Sequence, residues 1–177
     1  MRDDTIKMRM NMADLNRLAP EEFVRVIGPV FEQSPWIAAE ADAGRPFASI
    51  EQLRDALCEK VRAATEEKQL ALIRSHPDLV GRAALAGTLT AESAREQAGA
   101  GLNQLTPAEI LSFQRNNAAY WKKFGFPFVI CARLNKKEAI LAGFERRLPN
   151  AREQEIQTAL EEIFKIAGLR LRDIVQD

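Results

Sequence analysis

The chain has 177 residues, a length that favours a single domain with its own hydrophobic core. Hydrophobic residues make up 46% of it and charged residues 28%, as is usual for soluble globular proteins. Its 25 Lys and Arg residues are balanced by 25 Asp and Glu residues, and the lack of a basic excess argues against a nucleic-acid-binding protein.

The N-terminal stretch MRDDTIKMRMNMADL carries charges but no apolar core of the kind that a signal peptide needs. No apolar run approaches the roughly 20 residues of a membrane-spanning helix, which argues against a membrane partner. The terminal DIVQD is not a peroxisomal tripeptide signal, so we expect a cytoplasmic protein. We expect one domain over 1–177, with 1–11 as a flexible N-terminal extension.

Helical patterns dominate the chain. Pro20, Glu21 and Glu22 are typical of a first helical turn, where Pro fits and acidic side chains favour the helix dipole. Further helices are predicted over 34–44, 49–64, 65–75, 90–102, 106–125, 136–148 and 150–175. Among these, the 106–125 helix has the clearest limits, with a capping box at its start and Gly125 at its end.

One segment, FPFVICARL over 126–134, does not have a helical pattern. It is short, apolar and rich in β-branched residues, but nothing else in the chain alternates with the period of a strand that could pair with it. We interpret it as irregular backbone that lines a site. The fold class is therefore predicted to be all-α, a compact multi-helix bundle with this one non-helical segment.

The two cysteines, Cys58 and Cys131, are far apart and form no C-x-x-C pair. With a single histidine in the chain, a zinc site of the finger type is excluded. We expect two reduced, buried thiols.

The single histidine, His76, lies in SHPDL, between a helical run and a proline. Proline disfavours helical backbone in the residue before it, so we expect one helix to end at Ser75 and another to begin at Pro77. A histidine can transfer protons in both directions near neutral pH, because its ordinary pKa is about 6.5. The alternative is that His76 only caps or packs at this junction.

The TAESAREQAGAGL stretch places Ser93, Glu96 and Gln97 on one face of a helix. We expect its opposite face to pack closely, since that face has only the small residues Ala94, Ala98 and Gly101. The polar face would then line a pocket. The alternative is a polar face exposed to solvent.

On the last helix, Arg170 lies seven residues after Ile163, only about 20° away around the axis. Arg172 points to solvent on this helical phase. An arginine on an apolar face needs an anionic ligand or an internal carboxylate, and the sequence leaves both open. Asn117 lies on the apolar face of its own helix, where we expect it to bind nearby backbone.

Four stretches, SHPDL, LTAESAREQAGAGL, NAAYWKKFGFPFVICARL and EEIFKIAGLRLRDIV, together resemble the OHCU decarboxylase family from about residue 12 onward. These enzymes decarboxylate 2-oxo-4-hydroxy-4-carboxy-5-ureidoimidazoline (OHCU) in urate degradation. The resemblance implies an all-α homodimer that converts OHCU to (S)-allantoin and CO₂ without a cofactor or metal.

The resemblance also implies the residues of the site. The catalytic residues would be His76, Glu96 and Arg170. Substrate contacts would come from Pro77, Ser93, Glu96, Gln97, Phe128, Val129, Ile130, Cys131 and Ala132. Two other interpretations stay open, namely an all-α interaction module without catalysis and a hydrolase in which His76 and Glu96 activate water.

Overall fold

The computed structural model describes residues 9–177, with the side chains of residues 82 and 83 outside the description. The helices are α1 (Met12–Arg17), α2 (Pro20–Ile27), α3 (Trp36–Ala41), α4 (Ile50–Ala63), α5 (Glu66–Ser75), α6 (Arg82–Leu85), α7 (Ala91–Gly99), α8 (Pro107–Phe124), α9 (Lys137–Arg147) and α10 (Arg152–Ile174). Two-residue strands, β1 (Met10–Asn11) and β2 (Val175–Gln176), form the sheet. The predicted all-α class is confirmed.

The chain divides into two compact units. The first comprises the residues up to Lys68 together with Phe164–Asp177, and the second comprises Gln69–Ile163. The single domain over 1–177 therefore stays a prediction. Within the described part of the chain, no helix combines the length and apolar character needed to cross a membrane.

In the first unit, β1 pairs in parallel with β2, with Met10 opposite Val175 and Asn11 opposite Gln176. Asn11 also caps α1, since its side chain accepts a hydrogen bond from the Asp14 N–H. Backbone pairing and capping thus hold Met10 and Asn11, the last two residues of the expected extension, which stays a prediction. Residues 1–8 of that extension lie outside the described residues.

In the second unit, α8 shows why the sequence pattern located its limits so well. The Thr106 side chain accepts from the Glu109 N–H, and the Glu109 carboxylate accepts from the Thr106 N–H, which completes the predicted capping box. At the other end, Gly125 adopts a left-handed conformation with φ 76°, which favours glycine. The inward face of α8 carries Phe113, Asn117, Tyr120 and Phe124, all buried.

Candidate active site

The turn around His76 differs from the sequence prediction in one respect. Helix α5 ends at Ser75 as predicted, but the helix expected to begin at Pro77 is wrong, because the next helix starts at Arg82. Val80 has φ 54°, a left-handed conformation that is strained for a β-branched residue and cannot belong to a right-handed helix. We call residues 76–81 the His76 turn.

His76 is 7% exposed, and its Nδ1 lies 2.9 Å from the carbonyl oxygen of Leu72. Since a carbonyl oxygen can only accept, we assign the proton of the neutral ring to Nδ1. Nε2 then carries the lone pair. The last turn of α5 thus fixes the tautomer, and Nε2 is the atom able to take up or release a proton.

Two side chains of α8 bind the His76 turn. The Trp121 indole N–H donates to the Asp78 carboxylate at 2.8 Å, and the Asn117 amide donates to the Leu79 carbonyl oxygen, also at 2.8 Å. The predicted role of Asn117, to bind nearby backbone from an apolar helix face, is therefore confirmed. The link through Trp121 was not predicted.

Helix α7 supplies a further anchor, since the Val80 N–H donates to the Gln97 side-chain oxygen at 3.1 Å. Ser93 and Gln97 are buried and Glu96 is half-buried, whereas Ala94 and Ala98 are exposed. The expected close packing of the small face is thus wrong. The polar face can be buried because the side-chain oxygen of Gln97 has a backbone hydrogen-bond partner. Exposure of Ala94 and Ala98 costs little free energy because their side chains are small.

The segment between α8 and α9 is non-helical from Phe126 to Cys131, as predicted, and a 3-10 turn follows at Ala132–Leu134. We call 126–131 the apolar segment. The Phe128 ring stacks on Phe144 of α9, with 3.9 Å between ring centroids. A Cβ at Gly143 would lie 3.2 Å from the Phe128 ring, so glycine at that position lets the ring pack closely against the helix.

Charged side chains hold the backbone of the apolar segment. Arg147 donates to the Val129 carbonyl oxygen at 2.7 Å, and the Glu162 carboxylate accepts from the Cys131 N–H at 2.8 Å. Arg147 is paired in turn with Glu155 at 2.9 Å, and Glu155 is 0% exposed. These contacts fix one carbonyl and one N–H group of the segment.

Other peptide groups of the segment remain available to a ligand. Within the described residues, no hydrogen bond involves the Val129 N–H, the Ile130 N–H or the Ile130 carbonyl oxygen. Two donors and one acceptor thus lie close together on a backbone that its neighbours hold in place. This arrangement suits a small planar ligand with urea-like edges.

Glu96 of α7 and the apolar segment are linked electrostatically. Burial raises the pKa of the Cys131 thiol, and the carboxylates of Glu162 and Glu96 raise it further, against a partial lowering by hydrogen bonding from Leu134. Helix α7 also contacts the 3-10 turn that follows Cys131, and the Lys136 ammonium donates to the Gly99 carbonyl oxygen at the end of α7. The Cys131 thiol stays protonated at neutral pH, which disfavours a nucleophilic role. Both cysteines are buried, as predicted.

Arg170 belongs to the first unit. It is 5% exposed, and its guanidinium lies 3.1 Å from the carboxylate of the equally buried Glu32. Helix α10 continues through Gly168, so the predicted helical phase is correct and Arg172 is exposed. The internal carboxylate that the sequence left open as a partner for Arg170 is therefore present.

The family of the chain follows from its similarity to known proteins. A family model described as OHCU decarboxylase matches residues 16–172. The chain belongs to the OHCU decarboxylase family. It is 46% identical over 167 residues to a 2-oxo-4-hydroxy-4-carboxy-5-ureidoimidazoline decarboxylase of Amia calva, covering 94% of this chain and 95% of that protein. The corresponding mouse enzyme is 42% identical, with 94% and 93% covered.

Longer proteins contain a similar region. A uric acid degradation bifunctional protein of Bacillus sp. (strain TB-90) is 39% identical, with 95% of this chain but 33% of that protein covered. A crystal structure of (S)-allantoin synthase superposes with a TM-score of 0.74 at 29% identity, covering 94% of this chain and 54% of that one. The family domain thus occurs both alone and within larger chains.

The sequence analysis missed several residues that shape the site, namely Val80, Trp121, Arg147, Glu155 and Glu162. Of these, Arg147 could have been found from the sequence. It lies seven residues after Ile140 and three after Phe144, so the helical spacing that singled out Arg170 also places Arg147 on an apolar face. The described residues contain no group of three or more His, Cys, Asp or Glu side chains that could hold a metal ion.

Proposed function

We propose that this protein is a carboxy-lyase that converts OHCU to (S)-allantoin and CO₂ in urate degradation. Its family, and relatives of nearly equal length that are named for this decarboxylation, support the proposal. The observation that carries it is the arrangement around α7, where Gln97 binds the His76 turn and the helix contacts the 3-10 turn that follows the apolar segment. We further propose a cytoplasmic homodimer.

The substrate itself supplies the electron sink. When the C–C bond to the carboxylate breaks, its electron pair passes into the neighbouring C=N bond of the ring, and the ring nitrogen takes up a proton. The resulting enol loses its hydroxyl proton as the adjacent carbon gains one. The net change is the replacement of CO₂ by a proton, so the reaction requires no cofactor as electron acceptor.

The apolar segment and α7 orient the substrate ring. The peptide groups of Val129 and Ile130 are suited to the urea-like edges of the substrate, and Ser93 and Gln97 add polar side chains from a buried helix face. The oxygen of Gln97 is held by Val80, so its NH₂ group is the part offered to substrate. The other proposed contacts come from Pro77, Phe128, Cys131 and Ala132.

Proton transfer falls to His76 and Glu96. The Nδ1–H bond to Leu72 leaves Nε2 of His76 as the proton-carrying atom, and delivery to one face of the ring would give a single enantiomer of allantoin. Glu96 binds the substrate hydroxyl or stabilises the imidazolium. General acid–base help of this kind contributes a factor of about 10² to 10⁴ in rate.

Arg170 is proposed to hold an anionic oxygen of the substrate. It is buried against Glu32, so its guanidinium has a fixed orientation. Arg170→Lys keeps the charge opposite Glu32 but loses the planar fork, and we expect KM to rise more than kcat falls. Arg172→Lys, an exposed position on the same helix, is the control and should leave KM unchanged.

The test is direct. OHCU is generated by oxidation of urate and hydrolysis of the product. After the protein is added, the decay of the ultraviolet absorbance of OHCU is followed. The circular dichroism of the allantoin that forms is followed in parallel. We expect faster decay, release of CO₂ and (S)-allantoin, with turnover lost in His76→Asn while the helical far-ultraviolet spectrum is kept. Decay at the spontaneous rate would indicate an interaction module, and consumption without CO₂ a hydrolase.

A further inference from the structure

The His76 turn contains a conformation that it would not adopt alone. Val80 is β-branched and 3% exposed, yet its backbone lies in the left-handed region that such residues avoid. Strained backbone persists only where neighbouring contacts fix it, and such positions cluster at functional sites. The contacts that fix this turn are therefore part of how the site is built.

Helix α8 provides two of these contacts from one face. Asn117 and Trp121 are four residues apart, so they lie one helical turn from each other. They donate to consecutive residues of the turn, Leu79 and Asp78. Asn117 is 6% exposed and cannot exchange its bond to Leu79 for one to bulk water. A flipped amide would place oxygen against oxygen, so the orientation of Asn117 is also fixed.

Trp121 is the more exposed of the two donors. The residue is 38% exposed, so packing does not enclose its ring completely. The hydrogen bond from its indole N–H to the Asp78 carboxylate ties the ring to the turn. A variant that keeps an aromatic ring but lacks the N–H therefore tests this contact.

The contacts from α8 bear directly on the imidazole. His76 is fixed on one side by the Leu72 carbonyl oxygen. On the other side only Pro77, whose ring restricts the backbone, separates it from Asp78. The anchored positions of Asp78 and Leu79 therefore determine the direction in which the chain leaves His76, and with it the direction of Nε2.

We propose that Asn117 and Trp121 are positioning residues that fix the imidazole of His76. They touch the turn and not the reacting atoms. An effect of these residues on turnover rests on the proposed catalytic function of His76. Their effect on the orientation of the imidazole does not depend on that function. Loss of either donor lets the turn relax from its strained conformation, and the imidazole then samples other orientations and tautomers.

The single histidine makes the test specific, because a protein labelled with ¹⁵N-histidine gives one set of imidazole signals. The nitrogen chemical shifts report the tautomer at fixed pH without any substrate. We expect one dominant Nδ1–H tautomer in the natural sequence. Trp121→Phe and Asn117→Ala should each give a mixture of tautomers or broadened signals. Matched controls, Trp36→Phe in the first unit and Asn116→Ala on the same helix, should leave the signals unchanged.

Turnover is the second readout. We expect kcat to fall about ten- to a hundredfold in Trp121→Phe and Asn117→Ala, since small misplacements of a catalytic group have effects of this size. KM should change much less. Thermal unfolding of each variant shows that the measured protein is folded, and the conservative Trp121→Phe carries the test alone if Asn117→Ala does not fold.

The outcomes separate the two proposals. Imidazole signals that stay unchanged in both variants would overturn the positioning role, whatever happens to activity. Altered signals support it. If the signals change while His76→Asn retains full turnover, the positioning role stands and the catalytic role of His76 is the part that fails.

Discussion

Two non-helical parts of the second unit, the His76 turn and the apolar segment, are held in different ways. The turn is held by uncharged donors and acceptors of Asn117, Trp121 and Gln97, with the Asp78 carboxylate as the one charged partner. The apolar segment is held by Arg147 and Glu162, both charged. A neutral hydrogen bond contributes about 0.5–1.5 kcal/mol to stability, whereas a hydrogen bond to a charged group contributes about 1.5–3 kcal/mol.

The difference fits the roles that we propose for the two parts. The segment that binds the ring does the same task throughout the reaction, so a rigid, charge-anchored backbone suits it. The turn carries the group that exchanges a proton, and each of its uncharged bonds contributes less to stability, so loss of one donor is enough to free the imidazole. The two kinds of anchor thus differ in how much stability is lost when one of them is removed.

A buried tyrosine completes the anchor of the segment. The Tyr120 hydroxyl donates to Glu155, and Arg147 bonds to both groups. Burial is the main cause that raises the pKa of Tyr120, so the hydroxyl keeps its proton over the physiological pH range. Tyr120 thus remains a donor to Glu155 near neutral pH.

The largest effect is expected for Arg147→Met. The change leaves the Glu155 carboxylate, 0% exposed, without its guanidinium and the Val129 carbonyl oxygen without its donor. We expect the free energy of unfolding to fall by about 3–5 kcal/mol, as for other broken buried pairs. Urea denaturation followed by circular dichroism measures it.

The neighbouring Arg146→Met is the matched control, since Arg146 is exposed on the same helix. We expect a change within about 0.5 kcal/mol there. Equal losses in the two variants would show that charge on α9, rather than the buried contact, stabilises this region, and the contrast between segment and turn would no longer hold.

A smaller effect is expected for Glu162→Gln. The amide oxygen can still accept from the Cys131 N–H, but the bond loses its charge, and bonds to charged groups are stronger by about 1 kcal/mol. We expect a loss of about that size in the free energy of unfolding and a rise in KM for OHCU with little change in kcat. Glu161→Gln, at an exposed position, should leave both unchanged, and an unaltered KM in Glu162→Gln would argue against substrate contact with this segment.

The sequence predicts helices well where capping and periodicity agree, as at Thr106, Glu109 and Gly125 of α8. It also predicts the apolar segment, because a β-branched run without a pairing partner fits neither helix nor sheet. The conformation of Val80 could not be predicted, since no local pattern places a β-branched residue at positive φ and the contacts that hold the turn come from the distant helices α7 and α8. Periodicity likewise finds Arg170 but not its partner Glu32, which lies 138 residues away in the chain.

The smallest effect is expected at the far end of α8, where Glu109 and Lys137 form a surface pair. The hydrogen bond with Lys137, and next that with the Thr106 N–H, lowers the pKa of Glu109 below its ordinary value. A lowered pKa in the folded state means that this stabilisation is fully present above the unfolded pKa and is lost as pH falls through the folded pKa. Glu109→Gln should therefore reduce stability slightly at pH 7 and much less at acidic pH.

This variant also sharpens the comparison between the two parts of the site. Added salt should further reduce the loss of stability in Glu109→Gln, because charges at the surface are screened over a few ångströms at about 1 M ionic strength. Glu109 lies two turns or more along α8 from Asn117 and Trp121, so the ¹⁵N signals of His76 and kcat should not change. A shift of the imidazole signals in Glu109→Gln would mean that a change distant from Asn117 and Trp121 also moves the ring, and the two donors would then not be what positions it.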